Sequence, residues 1–193
     1  MKKKYLVSLI LLFSILIFTT SLAYAGSGHV LGFYSSLITQ AKSNWCYAAT
    51  AENAIKIECN PSRNQWDAVN ELKGSWFDSY PNISGSISDS ESASEYISDY
   101  TEFYGSTKSA FSFGFLVNEI EINNGIELAA GYYYGSSRNG GHIVLMIGYD
   151  TSDGDDIIYF DPWDGTYNTC LYSSFCDGDY NGRKYDQTAY NNE

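Results

Sequence analysis

Residues 40–49, Gln-Ala-Lys-Ser-Asn-Trp-Cys-Tyr-Ala-Ala, decide the fold because they join a polar, extended segment to the start of a helix. From this segment onward, the apolar residues Ala48, Ala51 and Ile55 recur at spacings of three and four. This pattern predicts a helix from Asn44 to about Glu58, and Ser43 or Asn44 can cap its first turn. Cys46 then lies at a helix N-terminus, where the dipole and unpaired N–H groups favour an anion. Both effects favour a reactive thiolate at Cys46.

A thiolate nucleophile needs a base, and the chain offers two histidines, His29 and His142. His29 falls in a predicted flexible lead-in, where its position would be poorly fixed. His142 follows two glycines and opens the apolar run His142–Tyr149, which predicts a strand buried on both faces. We therefore expect His142 to be the general base.

Two further side chains complete a candidate site. Asp161 ends the strand predicted after the one that His142 opens, and a histidine base needs such a group to orient its ring. The start of one strand and the end of the next lie together in an antiparallel hairpin. His142 and Asp161 are not symmetric about the turn, so the hairpin requires a lopsided turn or a bulge. Gln40 could donate to the oxyanion beside the Cys46 N–H.

The order of the other predicted elements indicates the fold class. Helices are predicted over 62–73, 90–104 and 112–123, and strands over 126–134, 142–149 and 157–160, with a short strand and loops from Thr166 onward. Helices come first and strands later, which indicates an α+β fold with a helical half packed on an antiparallel sheet. We expect one domain spanning residues 26–193.

The N-terminus has the three parts of a secretory signal peptide. Lys2 to Lys4 precede an apolar run, Tyr5–Phe18, and a small-residue site that ends at Ala25. An uncleaved anchor is the alternative, but the run is shorter than the ~20 residues that a bilayer span needs. We expect cleavage after Ala25, secretion, and no stable membrane association afterwards.

Charge and composition limit the partners. The segment 26–193 has eight basic and 23 acidic residues, a net charge of −15, which disfavours nucleic acid and anionic membranes as partners. Four aspartates between positions 150 and 156 could bind calcium, but their spacing matches no defined loop, so a solvated turn is preferred. The histidines and cysteines give no zinc signature. We expect a monomer that needs no cofactor.

The cysteines allow more than one arrangement. A helix between Cys46 and Cys59 would separate them by about 20 Å, too far for a disulfide. Cys170 and Cys176 lie close together in the sequence and could pair locally, whereas Cys59 could instead pair with either. The sequence leaves this choice open.

Three segments resemble the papain-like cysteine peptidases, most closely the bacterial C39-like and AvrRpt2-like branch. Residues 40–49 resemble its Q…NWCWAA nucleophile motif, with Tyr47 in place of the usual Trp. Residues 141–149 resemble its GHxVxxxGY strand, and residues 161–163 its DPW motif. Together they cover 22 residues, and they follow one another in the family's order.

The resemblance implies a papain-like fold and hydrolysis of a protein or peptide substrate. By position it implies four catalytic residues: Cys46 as nucleophile, His142 as base, Asp161 as orienting group and Gln40 as oxyanion donor. Substrate contacts are expected from Gly141, Trp163 and Trp45, and Trp163 is expected to shield the His–Asp hydrogen bond. The alternatives are a peptidoglycan amidase, a deamidase, a transglutaminase-like enzyme or a catalytically inactive secreted binding module.

Overall fold

The computed structural model describes residues 28–30, 37–58, 60–99, 104–107, 109–122, 128–134, 140–178 and 182–191. The predicted signal peptide, its cleavage site and Cys59 lie outside these residues. No helix among the described residues is long and apolar enough to cross a bilayer.

The described chain forms five helices and seven strands. The helices are α1 (Cys46–Glu58), α2 (Gln65–Lys73), α3 (Ile87–Ser98), α4 (Phe113–Ile122) and α5 (Tyr172–Asp177). The strands are β1 (Gly28–Val30), β2 (Tyr104–Thr107), β3 (Leu128–Tyr134), β4 (Gly141–Asp150), β5 (Asp156–Asp161), β6 (Thr166–Leu171) and β7 (Arg183–Asn191).

One antiparallel sheet contains all these strands. Its order is β2-β7-β3-β4-β5-β6, and β1 adds to β4 near the end of that strand. β4 lies near the middle and is buried along almost its whole length, because helices cover it as the apolar run predicted. The α+β class and papain-like fold predicted from the sequence are confirmed.

The helical half packs on the sheet through α1. Ala48, Ala51 and Ile55 are fully buried on this helix, and the Thr50 hydroxyl donates a hydrogen bond of 3.1 Å to the carbonyl of Ile143 in β4. The small side chains allow α1 to approach its neighbours closely. The start of α1 is thereby fixed against the start of β4.

Several predicted element bounds need correction. α1 begins at Cys46, so neither Ser43 nor Asn44 is its cap residue. The predicted helix over 90–104 begins earlier, at Ile87, because Ser86 and Asp89 form a capping box. It ends at Ser98, where Asp99 takes a left-handed conformation with φ 67°, and Tyr104 belongs to β2 instead.

The C-terminal segment is more regular than the predicted short strand and loops, since it contains β6, α5 and the nine-residue β7. The lead-in also contributes β1, in which His29 pairs with Tyr149. His29 is therefore aligned with a position seven residues along β4 from His142.

Cys170 and Cys176 do not form the local disulfide that the sequence allowed as one possibility. Cys170 is buried in β6, opposite Ile157. Cys176 lies on α5, where its thiol hydrogen-bonds to the Tyr172 hydroxyl one turn earlier. Because α5 follows β6 directly, the two cysteines lie on different elements, and the sulfur of Cys176 contacts Tyr172 instead of Cys170.

Gly85 gives a test of how tightly the loop before α3 packs on α1. A Cβ atom at this position would lie 2.5 Å from Cγ and Cδ1 of Tyr47, whose ring is wholly buried. We expect Gly85→Ala to lower the free energy of unfolding by roughly 1–3 kcal/mol, because a rigid aromatic ring must move.

Gly114→Ala is the matched control, since a Cβ atom in α4 at this position meets nothing within 4 Å. It should leave the free energy of unfolding unchanged or raise it by up to about 1 kcal/mol. Urea denaturation of both variants measures the difference. Equal stability of the two would contradict the close packing of Gly85 on Tyr47.

Candidate active site

Cys46 is the first residue of α1. The carbonyl of Trp45 accepts the first helical hydrogen bonds, from the N–H groups of Ala48 and Ala49. The Cys46 N–H therefore points out of the open end of the helix, where no carbonyl of the preceding turn can accept it. The nucleophile candidate and one N–H donor thus come from the same residue.

The segment before Cys46 is fastened to the loop that precedes α3. The side-chain oxygen of Asn82 accepts from the Asn44 N–H, and the Asn44 amide donates to the Asn82 carbonyl. The Trp45 indole N–H donates to the Pro81 carbonyl at 3.0 Å. These contacts hold the chain rigidly as it enters α1.

Trp45 is 0% exposed, packs edge-on against Trp66 and does not line the cleft described below. The prediction that Trp45 contacts substrate is therefore wrong, because the indole N–H finds its partner in the loop and the ring enters the core. Trp45 instead supports the chain that carries Cys46.

His142 lies one residue inside β4 and is 9% exposed. Gly140, with φ 113°, leads into the strand through a conformation that side-chain-bearing residues rarely adopt. The ring Nε2 of His142 lies 2.5 Å from Oδ1 of Asp161. Its side chain also hydrogen-bonds to Cys46, and since Nε2 is engaged by Asp161, the ring nitrogen that faces the sulfur is Nδ1.

A β-bulge lets Asp161 reach His142. Between Met146 and Gly148 the register of β4 on β5 shifts by one residue. Beyond the shift Leu145 pairs with Phe160, so Asp161 comes opposite Val144, two residues from His142 and on the same face. Such diagonal neighbours lie within reach of long side chains. Of the two alternatives that the sequence spacing left, a lopsided turn or a bulge, the hairpin has the bulge.

Electrostatics favour a charged imidazole ring at His142. Burial alone would lower its pKa, but the hydrogen bonds to Asp161 and Cys46 and their charges outweigh burial. Together they raise the pKa of His142 from 6.5 to about 9. A neighbouring carboxylate and a thiolate both stabilise the protonated ring.

Trp163 covers this pair from the solvent side. Its ring is 59% exposed and stands edge-on to the His142 ring at a centroid distance of 6.4 Å. Its backbone N–H donates to Oδ1 of Asp161 at 2.9 Å, so the same carboxylate oxygen accepts from both residues. Trp163 thus lies beside the His142–Asp161 pair, where the sequence placed its shielding role.

A cleft of about 940 Å³ contains the Cys46, His142 and Asp161 side chains. Gly141 and Trp163 also line it. The remaining lining residues are mostly small or polar: Ser43, Asn44, Ser84–Ile87, Gly131, Gly140, Ile143, Asp164, Asp186 and Gln187. Small residues on several sides leave room for an extended chain.

Gln40 lies beside the cleft and is not among its lining residues. Its backbone N–H donates to the Pro162 carbonyl at 2.7 Å, which ties it to the segment that follows Asp161. Its side-chain Nε2 donates to the Lys42 carbonyl at 2.9 Å, and its buried Oε1 has no partner among the described residues. One hydrogen of the Nε2 group is not used by Lys42.

No group of three or more His, Cys, Asp or Glu side chains in the described ranges could hold a metal ion. The sequence did not indicate the role of the loop 80–86, which holds the segment that carries Cys46 and lines part of the cleft. Asn82 and Gly85 carry no catalytic group, and only their contacts with residues some 40 positions earlier give them a role.

Residues 34–189 match the Peptidase_C39 like family. No curated protein matches the chain. The family match covers well over half of the chain and includes Cys46, His142 and Asp161. The chain therefore belongs to the Peptidase_C39 like family of papain-like cysteine peptidases.

Proposed function

We propose that the protein is a cysteine peptidase in which Cys46, His142 and Asp161 act as a triad and Gln40 helps to bind the oxyanion. The observation that carries this proposal is the hydrogen-bonded series of Cys46, His142 and Asp161, all of which line the cleft. Family membership supports cysteine peptidase activity, and the geometry supports the individual roles.

The reaction follows from these positions. The Cys46 thiolate attacks an amide carbonyl, and the negative charge that forms on oxygen is stabilised by the Cys46 N–H and by Nε2 of Gln40. His142 then gives the proton on Nδ1 to the departing amine. The neutral ring next takes a proton from water, which attacks the thioester and releases the acid.

Asp161 keeps the ring of His142 in the tautomer that this cycle needs. Its carboxylate accepts a hydrogen bond from Nε2–H throughout, so only Nδ1 exchanges protons with the reacting groups. Trp163 limits the access of water to this hydrogen bond. The exchange of one proton between sulfur, leaving group and water requires no cofactor.

We propose a protein or peptide as substrate and export as the route to it. Small and polar residues on several sides of the cleft suit an extended polypeptide more than a compact ligand. The signal-peptide pattern of residues 1–25 supports export, with the chain from residue 26 as the secreted form.

Replacing the nucleophile tests the proposal. Cys46→Ala should lower hydrolysis of a casein or peptide substrate by roughly 10³-fold or more, since no other group can form the thioester. An E-64-type epoxide should modify Cys46 in the parent chain, as located by mass spectrometry, and should not modify the variant.

Cys176→Ala is the matched control. Burial raises the pKa of the Cys176 thiol, although the Tyr172 hydrogen bond acts in the opposite direction, so this cysteine is a poor nucleophile. Its loss should leave hydrolysis unchanged. Cleavage of peptidoglycan or incorporation of an amine, with peptides left intact, would refute the peptidase assignment, as would full hydrolysis by Cys46→Ala.

The charge of Asp161 should set the alkaline limit of activity. A pKa of about 9 for His142 keeps the ring protonated up to that pH, so kcat/KM should fall as the pH rises through about 9. Asp161→Asn keeps an oxygen that accepts from Nε2 and removes the charge. Asp161→Asn should therefore shift the alkaline fall of kcat/KM to lower pH, whereas Asp161→Ala should also lower kcat at the optimum pH. An alkaline fall at the same pH in Asp161→Asn as in the parent chain would contradict the role of Asp161.

An inactive variant allows the same pKa to be measured directly. Cys46→Ser removes the thiolate that helps to raise the pKa of His142, so NMR titration of its ring should give a lower pKa than in the parent chain. Because the folded pKa lies above the usual 6.5, the protonated ring stabilises the fold fully below about pH 6.5. That stabilisation is lost as the pH rises through about 9. Identical titration curves would contradict contact between the two side chains.

A further inference from the structure

Two buried amide side chains hold the segment that carries Gln40. The Asn53 side chain accepts from the N–H of Ile38 at 2.8 Å and donates to the carbonyl of the same residue at 2.8 Å. The Gln65 side chain accepts from the N–H of Ala41 at 2.8 Å and donates to the carbonyl of Thr39 at 3.2 Å. Residues on both sides of Gln40 are thus hydrogen-bonded to side chains of the helices.

The two amides are themselves fixed. Asn53 is 0% and Gln65 3% exposed. The carboxylate of Glu52 accepts from the backbone N–H of Gln65 at 2.8 Å and forms an ion pair with Lys56 at 2.7 Å. A buried amide that uses both its oxygen and its nitrogen is held in one orientation, because any rotation leaves a polar group unpaired.

The geometry connects this arrangement to the nucleophile. Asn53 lies seven residues after Cys46 on α1, which at 3.6 residues per turn places both on the same side of the helix. The backbone N–H of Gln40 also donates to the carbonyl of Pro162, the residue that follows Asp161. Gln40 is thereby located relative to both Cys46 and Asp161.

We propose that Asn53 and Gln65 are positioning residues for catalysis that act through Gln40. They fix residues 38–41 so that the side chain of Gln40 is held beside the oxyanion before substrate arrives. This inference rests on the proposed function, since it requires that Gln40 binds the oxyanion. Asn53 and Gln65 are 0% and 3% exposed, so neither side chain is accessible to substrate.

A double-mutant cycle tests the proposal. Gln65→Ala should lower kcat by roughly 10- to 100-fold with little change in KM, as expected when a reacting geometry is misplaced by about an ångström. In a Gln40→Ala background, which itself should cost about 10²–10³-fold, the same substitution should lower kcat by less than about threefold, since no positioned donor remains. Rates are expressed per chain that the E-64-type epoxide modifies at Cys46, since this reaction needs the folded site and so leaves out any unfolded fraction.

Two further measurements separate positioning from general stability. Alkylation of Cys46 by iodoacetamide forms no oxyanion, so its rate should be unchanged in Gln65→Ala, whereas binding of a peptide aldehyde should weaken in parallel with kcat/KM. Gln65→Glu keeps the acceptor for the Ala41 N–H and is expected to fold and to give an intermediate kcat. It stands in for Gln65→Ala if that variant does not fold.

Ser94→Ala is the matched control, because it removes a buried hydrogen bond from the hydroxyl to the Ser90 carbonyl on α3. Its kcat should equal that of the parent chain. Equal losses of kcat from Gln65→Ala in both backgrounds would overturn the positioning role and leave the peptidase assignment intact. A parent chain that hydrolyses no amide would overturn both.

Discussion

The packing of α1 across the start of β4 determines whether the Cys46 sulfur and the His142 ring can meet. The two residues are 96 positions apart, Cys46 at the start of α1 and His142 as the second residue of β4, so a shift or rotation of the helix would separate them. Fully buried small side chains set the approach of the helix, and the Thr50–Ile143 hydrogen bond fixes its position one residue from His142. The proximity of Cys46 and His142, on which the proposed triad rests, therefore depends on a contact that is mostly apolar.

Hydrogen bonds to neighbouring segments hold the other site residues around this contact. Loop 80–82 holds the chain that enters α1, and the backbone of Gln40 is joined to Pro162. His142 and Asp161 add a buried charge pair, which is tolerated because each partner has further hydrogen bonds. A rigid frame of this kind suits a reaction whose charged intermediate must find its donors already in place.

The sequence predicted the parts of the molecule whose signals are local. Cys46 at a helix start, His142 at the head of an apolar strand and Asp161 at the end of the next strand all follow from patterns within about ten residues. Ser86 and Asp89 also have the spacing of a capping box, a local signal that the helix predicted from residue 90 leaves out. The predicted contact of Trp45 with substrate is wrong because the carbonyl of Pro81, 36 positions away in the chain, accepts from the indole N–H and so orients the ring.

Other features could not be read from periodicity. β7 has a register shift where it pairs with β3, between Tyr185 and Gln187, and this bulge interrupts the alternation that would have indicated a nine-residue strand. The paired amides of Asn53 and Gln65 leave no pattern in the sequence, since each contacts residues at least 15 positions away. Such contacts depend on how the helices and the lead-in pack together.

The bulge in β4 determines from which face of the sheet the side chains at the open end of this hairpin project. If Ile147 paired with Tyr159 instead of forming the bulge, Asp161 would stand opposite Leu145, and its carboxylate would project from the other face of the sheet than the His142 ring. Inserting or deleting one residue in β4 between His142 and Met146 would have the same effect, whereas the turn at 151–155 can change length with the strands still paired as before. Insertions and deletions are thus compatible with the site at the tip of this hairpin and incompatible with it in this part of β4.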